Sequence, residues 1–145
     1  MNATATIFAL ALASNHDPEQ HIQQAFEYLS QQGETAFSPI YLIPCRDRVG
    51  QDYWNAACLL SSPLAVDKMI KLLKEMEEKS GRIRPSHQIS LDIDLIAWGN
   101  NLDEMQFNAK KWPLALDVKI PLSHLWQHPA LIHPSEIEYP LVEFS

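Results

Sequence analysis

Three observations predict an α+β fold in the order strand, helix, strand, strand, helix, strand, followed by a C-terminal extension. Four apolar stretches are of strand length: residues 4–13, 35–43, 53–61 and 90–98. Two stretches with apolar residues at helical spacing fall between the first and second of these and between the third and fourth. Turn residues punctuate the joins, with Asp17-Pro18 and Ser62-Pro63 opening the helices and Gly33 and Ser80-Gly81 closing them.

Residues 4–13 (TATIFALALA) form a mixed apolar run that suits a central strand better than an edge. Ser14 to Pro18 turns the chain, and Ile22, Ala25, Phe26 and Leu29 mark the first helix. The second strand carries Phe37, Ile40 and Ile43, and Pro39 makes it interrupted or peripheral because proline has no N–H for a ladder. Pro44 to Gln51 is a polar loop before the buried strand of 53–61. Leu64, Met69, Ile70, Leu73 and Met76 then stripe the second helix. Ser90 to Trp98 is the next strand, and Gly99-Asn100-Asn101 turns the chain again. Beyond it, Trp112, Leu114, Leu116, Val118 and Ile120 alternate and predict an extended segment; Leu122 to Trp126 reads as a short helix and 129–145 as an irregular tail. Two helices over one sheet in this order make the split βαβ, ferredoxin-like sandwich. With no internal repeat and no low-complexity linker, residues 1–145 read as a single domain.

Composition narrows the function. The chain has 145 residues, 46% of them apolar and 20% charged, a globular balance. Eleven Lys and Arg face eighteen Asp and Glu, for a net charge of -7, which argues against nonspecific nucleic-acid binding. The apolar run Ile7 to Ala13 is too short to span a bilayer, and no basic residue precedes it as in a secretory signal. Cys45 and Cys58 form no CxxC pair, so reduced thiols and a cytoplasmic setting are expected. Cys58, among Ala56, Ala57, Leu59 and Leu60, reads as a core thiol rather than a nucleophile. His124 and His128 are four positions apart, but Pro129 and the absence of cysteine at zinc spacing argue against a structural zinc.

The sharpest chemical signal is Asp92 and Asp94 in Leu91-Asp92-Ile93-Asp94-Leu95. Residues two apart on a strand share a face, so the two carboxylates project together and repel each other unless a cation sits beside them. Hard oxygen ligands of this kind suit magnesium bound to phosphate. The plainer reading is the polar face of an edge strand. Arg82 and Arg84 lie just upstream, after the second helix, where their planar forks suit phosphoryl oxygens; the plainer reading is two solvated loop arginines.

Four stretches together resemble the 6-hydroxymethyl-7,8-dihydropterin pyrophosphokinases of folate biosynthesis. Ala9 to Asn15 resembles that family's first strand and Gly-Ser-Asn turn, with Ala13 in the glycine place. Ser38 to Pro44 resembles its Ser-x-x-Tyr-x-Thr-x-Pro segment, with Ile43 out of register with the threonine. Gln51 to Ala57 resembles its Gln-Pro-x-aromatic-Leu-Asn-Ala-Val segment. Glu77 to Arg84 and Leu91 to Leu95 resemble its Glu-x-x-x-Gly-Arg-x-Arg and Leu-Asp-Leu-Asp-Ile signature.

The resemblance implies the ferredoxin-like fold and an Mg-dependent diphosphokinase that moves pyrophosphate from ATP to the pterin hydroxymethyl group, leaving AMP. Asp92 and Asp94 would hold two Mg2+ ions and, with Arg82 and Arg84, carry catalysis. Tyr53 and Asn55, with Leu42, Ile43, Pro44 and Cys45, would frame the pterin. Glu77, Arg82, Arg84, Lys110 and Lys111 would lie along ATP. The partners would be small molecules, with neither nucleic acid nor membrane, and the protein a monomer. Two departures stand out: the loop Pro85 to Ser90 has neither the family's arginines nor its glycine, and residues 100–120 lack its Pro-His segment, leaving Lys110, Lys111 and Lys119 as the cations there. The alternative is a non-catalytic homologue that binds a pterin or related small molecule; a third reading is an interaction protein using only the fold.

Overall fold

The computed structural model describes residues 5–44, 52–82, 88–134 and 139–144; Cys45 and Arg84 lie outside these. The fold is α/β, a sheet of seven strands with helices on both faces. The chain runs through β1 (Thr6–Ser14), α1 (Pro18–Ser30), β2 (Glu34–Phe37), β3 (Ile40–Ile43), β4 (Tyr53–Ser62), α2 (Val66–Lys79) and β5 (Asp92–Gly99). It continues through β6 (Met105–Phe107), a 3-10 turn at Ala109–Lys111, α3 (Leu116–Ser123), a second 3-10 turn at Pro129–Leu131, and β7 (Leu141–Val142). The strand order is β6-β5-β1-β4-β3-β7, with β2 also paired to β4, and every pairing is antiparallel.

The central position of β1 follows from its side chains. Phe8, Leu10 and Leu12 face one way and join α1 and α2 through Ile22, Leu29, Met69 and Leu73. Ala9 faces the other way with Ala57, against Leu122, Trp126 and Leu131. A strand buried on both faces needs apolar residues at every position, and Ile7 to Ala13 supplies them. Cys58 is fully buried in the first of these layers. Burial pushes its thiol up to about 12, which makes it a packing residue and a poor nucleophile.

The β1–β5 pairing shifts register between Ala9 and Leu10, where Ala97 and Leu95 lie opposite and Ile96 is the extra residue. This bulge puts Ile96 and Ala97 together on the α3 face, while Leu95 and Ile93 stay on the α1–α2 face.

Three expectations for the last third are corrected. The alternation from Trp112 to Ile120 is not an extended segment: Leu116–Ser123 is α3. Leu116 and Ile120, and Val118 and Leu122, are also four apart, so the same residues satisfy a helical period, and an uncovered sheet face selects the helix. Helix does not run from Leu122 to Trp126; α3 ends at Ser123, and the Trp126 N–H turns back to the Leu122 carbonyl at 3.0 Å. The tail is not wholly irregular, because β7 pairs with β3. The predicted break at Pro39 does occur, between β2 and β3.

Gly33 closes the turn from α1 into β2, and a Cβ there would collide with the Ser61 carbonyl oxygen. That neighbour is backbone in the β2–β4 ladder and cannot swing aside. Gly33→Ala should therefore cost about 1–3 kcal/mol of stability, read as a lowered midpoint in urea. An unchanged midpoint would show that the ladder accommodates the methyl group. Among the described residues, no helix is long and apolar enough to cross a membrane.

Candidate active site

The two aspartates start β5, and cross-strand register fixes their surroundings. Ala13 of β1 pairs with Asp92 on one side and Asn55 of β4 on the other. Ala11 likewise pairs with Asp94 and Ala57, and Tyr41 of β3 pairs with Asn55. Directly opposed residues share a face, so Tyr41, Asn55, Ala13 and Asp92 form one row across the sheet, with Ala57, Ala11 and Asp94 as the next. The three alanines keep the floor low between the amide and the carboxylates. Asn55 is buried, and its Nδ2 donates to the Tyr53 carbonyl at 3.2 Å.

Glu77 reaches this edge from the last turn of α2. Its Oε2 accepts from the Ile93 N–H at 2.9 Å, tying the end of α2 to β5. Glu77, Asp92 and Asp94 each offer an oxygen within 4.8 Å of the others. Two cations balance them. Arg82 Nη1 lies 3.3 Å from Asp92 Oδ1 and 3.5 Å from Glu77 Oε2, while Lys111 Nζ lies 2.9 Å from Asp94 Oδ1. Gly81, at φ 85, lets the chain leave α2 and deliver Arg82 to this point.

Lys111 is placed by Asn108. The Asn108 Nδ2 donates to the Leu95 carbonyl at 2.8 Å and its N–H to the Ile96 carbonyl at 2.8 Å, capping the bulge. Its Oδ1 accepts from the Lys110 N–H at 3.1 Å, which starts the turn ending at Lys111.

Burial pushes the Glu77 carboxyl up to about 7, helped by a proton shared with Asp92 and by the Asp92 charge; the Ile93 N–H and Arg82 oppose this. Asp94 is also raised, by burial and the Asp92 charge, against the pull of Lys111. Lys111 is raised because its bond to Asp94 and the surrounding carboxylates outweigh its own burial. Glu77 and Asp94 thus hold protons more tightly than they would in water.

The sign of the resulting pH dependence is fixed. Glu77 binds its proton more tightly folded than unfolded, so its contribution is fully present below about 4.5 and is lost as pH rises through about 7. In EDTA, the thermal midpoint should carry a falling component across that window. Glu77→Gln should flatten it, and Mg2+ should reduce it. A slope that Glu77→Gln leaves unaltered would place its origin elsewhere.

Several sequence-predicted residues come together here: Glu77, Arg82, Asp92, Asp94 and Lys111 at one end, Tyr53, Asn55 and Ile43 at the other. Leu42 does not. It pairs with Trp54, so its side chain faces away from Asn55, and its N–H donates to the Pro140 carbonyl at 2.8 Å. Pro44 is exposed at the end of β3, and Lys110 is exposed with no ion pair among the described residues. The sequence reading assigned Glu77 to the nucleotide and missed it as the third carboxylate, because nothing in its spacing shows that the end of α2 meets the start of β5. It also missed Asn108.

A sheet edge with three clustered carboxylates, flanking cations and a buried amide across a low floor defines an α/β protein whose acidic cluster is close enough to share a metal ion. The family model for 7,8-dihydro-6-hydroxymethylpterin-pyrophosphokinase matches residues 9–137, and the chain belongs to that family.

Proposed function

We propose that this chain transfers pyrophosphate from ATP to 6-hydroxymethyl-7,8-dihydropterin, giving AMP. The observation that carries the reading is the row Asn55–Ala13–Asp92, which sets a buried amide two strand spacings, about 10 Å, from the carboxylate cluster. A flat heterocycle hydrogen-bonded at Asn55 spans the alanine floor and brings its hydroxymethyl arm toward Asp92. The strand order β5-β1-β4-β3, with α1 and α2 on one face, supports the ferredoxin-like plan, extended by β6, β7 and α3. One sheet carries both apolar layers, which supports reading residues 1–145 as one domain.

Asp92 and Asp94, with Glu77 behind them, fit hard divalent cations: all three donors are carboxylate oxygens near enough to share an ion. Held by these carboxylates, Mg2+ would supply charge neutralisation for the phosphates. The protein's own residues do the rest. Asn55 and Tyr53, with Ile43 and Pro44 at the end of β3, orient the pterin. Lys111 and Arg82 supply positive charge where the triphosphate lies. Arg82 Nε is a buried donor with no acceptor among the described residues, and a small swing of the guanidinium toward a phosphate would satisfy it. The hydroxymethyl oxygen bonds to the β-phosphorus and gives up its proton to solvent as the bond from that phosphorus to the AMP oxygen breaks. The proposed setting is the cytoplasm, where Cys58 stays reduced.

One observation favours the alternative, a non-catalytic pterin-binding homologue. Arg82 and Lys111 are both engaged by the carboxylates, and the sequence from 85 to 90 has no arginine to add. Incubation with Mg-ATP and 6-hydroxymethyl-7,8-dihydropterin separates the two. Pterin-dependent AMP is the expected product. A folded sample that binds pterin yet yields no AMP above background would establish the non-catalytic reading.

A further inference from the structure

A cavity of about 160 Å³ opens between α1 and α2 and plays no part in the site above. Its floor is buried: His21 and Ala25 from α1, Met76 from α2, and Leu91 before β5. Glu75 and Lys79 stand exposed on its rim. Neither Glu77 nor the aspartates line it.

His21 distinguishes this space from a packing defect. The residue is only 9% exposed, and its Nδ1 lies 2.7 Å from the His16 carbonyl oxygen. A carbonyl only accepts, so Nδ1 carries a proton, and in the neutral tautomer this leaves Nε2 as an acceptor. No described residue donates to Nε2, and His21 lines the cavity. A nine-tenths-buried histidine thus presents one unpaired acceptor beside an apolar floor, and an acceptor so placed gains most from a donor entering the cavity. The Glu75 carboxylate offers a second acceptor at the mouth.

We propose that this cavity is a second small-molecule site, for a single heteroaromatic ring bearing N–H donors, of the aminopyrimidine or aminoimidazole class. The size sets the ring count: an apolar cavity of about 150 Å³ admits benzene, so one ring fits and a fused bicycle does not. The ring lies against Met76 and Leu91, with the thioether suited to an aromatic edge. One N–H bonds His21 Nε2 and a second faces Glu75. The proposal stands independently of pyrophosphate transfer.

The test is a titration of isotopically labelled full-length protein with 2-aminopyrimidine, without Mg2+ or ATP, following the His21 ring nitrogens and the Met76 methyl group. Saturable shifts of both are expected, with a Kd of about 1 mM or tighter, in the range open to so small a ligand. Benzene, which lacks donors, should bind at least about tenfold more weakly, the loss expected for one unmade hydrogen bond. Ala25→Leu, which fills the floor, should abolish saturation. His21→Phe, which keeps the ring but not the acceptor, should weaken 2-aminopyrimidine and leave benzene unchanged, a comparison that holds should the leucine variant fail to fold. No saturable shift in the wild type, equal affinity for benzene and 2-aminopyrimidine, or undiminished binding in His21→Phe would each overturn the proposal.

Discussion

Asp94→Asn should lower pterin-dependent AMP formation by on the order of 10²–10³-fold while leaving the fold intact. Asparagine keeps the shape and one carbonyl oxygen but removes the charge that faces Lys111 and would face a metal ion. Asp94 is partly open to solvent and its change leaves no cavity, so circular dichroism should match the wild type. Asp92→Asn should have a comparable effect on turnover, with an added stability cost because Arg82 loses a partner. The mechanism predicts loss of Mg2+ affinity alongside loss of AMP formation, and retention of pterin binding through Asn55. Two variants that bind Mg2+ normally and turn over at wild-type rates would exclude the carboxylate pair from the chemistry.

Arg82→Met should produce the largest stability change outside the core. The guanidinium is largely buried and is held by Glu77 and Asp92, while Asp94 adds a third negative charge nearby. Removing the cation and keeping the carboxylates leaves buried charge uncompensated, which costs about 3–5 kcal/mol in a fully buried pair. Asp92 retains solvent contact, so about 2–3 kcal/mol is expected, measured in urea with EDTA present. Mg2+ should restore much of that loss, because an ion among the three oxygens supplies the missing positive charge. A variant as stable as the wild type in EDTA would show that the carboxylates carry protons there and need no cation. A loss that Mg2+ does not repair would show that Arg82 acts through packing alone.

These expectations differ in how visible they were from the chain alone. Asp92 and Asp94 were legible because strand alternation is a local rule: two residues apart means one face. The first two helices were legible from their apolar stripes, and α1 also from Pro18 at its start; Ser62-Pro63 does not open α2, which begins three residues later at Val66. The break at Pro39 was legible because a missing N–H interrupts a ladder wherever it occurs. Residues 112–120 were misread because Leu116, Val118, Ile120 and Leu122 fit a period of two and a spacing of four at once. Only the sheet face made by Ala9, Ala57 and Ala97, small and in need of cover, decides for a helix.

The sequence by itself determined the order of the main elements, the central place of β1, and the carboxylates that share a strand face. These are set by backbone periodicity and by the need to bury apolar side chains. The tertiary structure decided the company those carboxylates keep. Glu77 lies fifteen positions before Asp92, and Lys111 seventeen after Asp94. Glu77 arrives because its carboxylate accepts from the Ile93 N–H, and Lys111 because Asn108 caps the carbonyls beside a bulge. Asn55 faces Asp92 across Ala13 because antiparallel register sets them in one row. Electrostatics and hydrogen bonding act over a few ångströms of space, whatever the distance along the chain, so which charges meet is decided only when the sheet closes around β1.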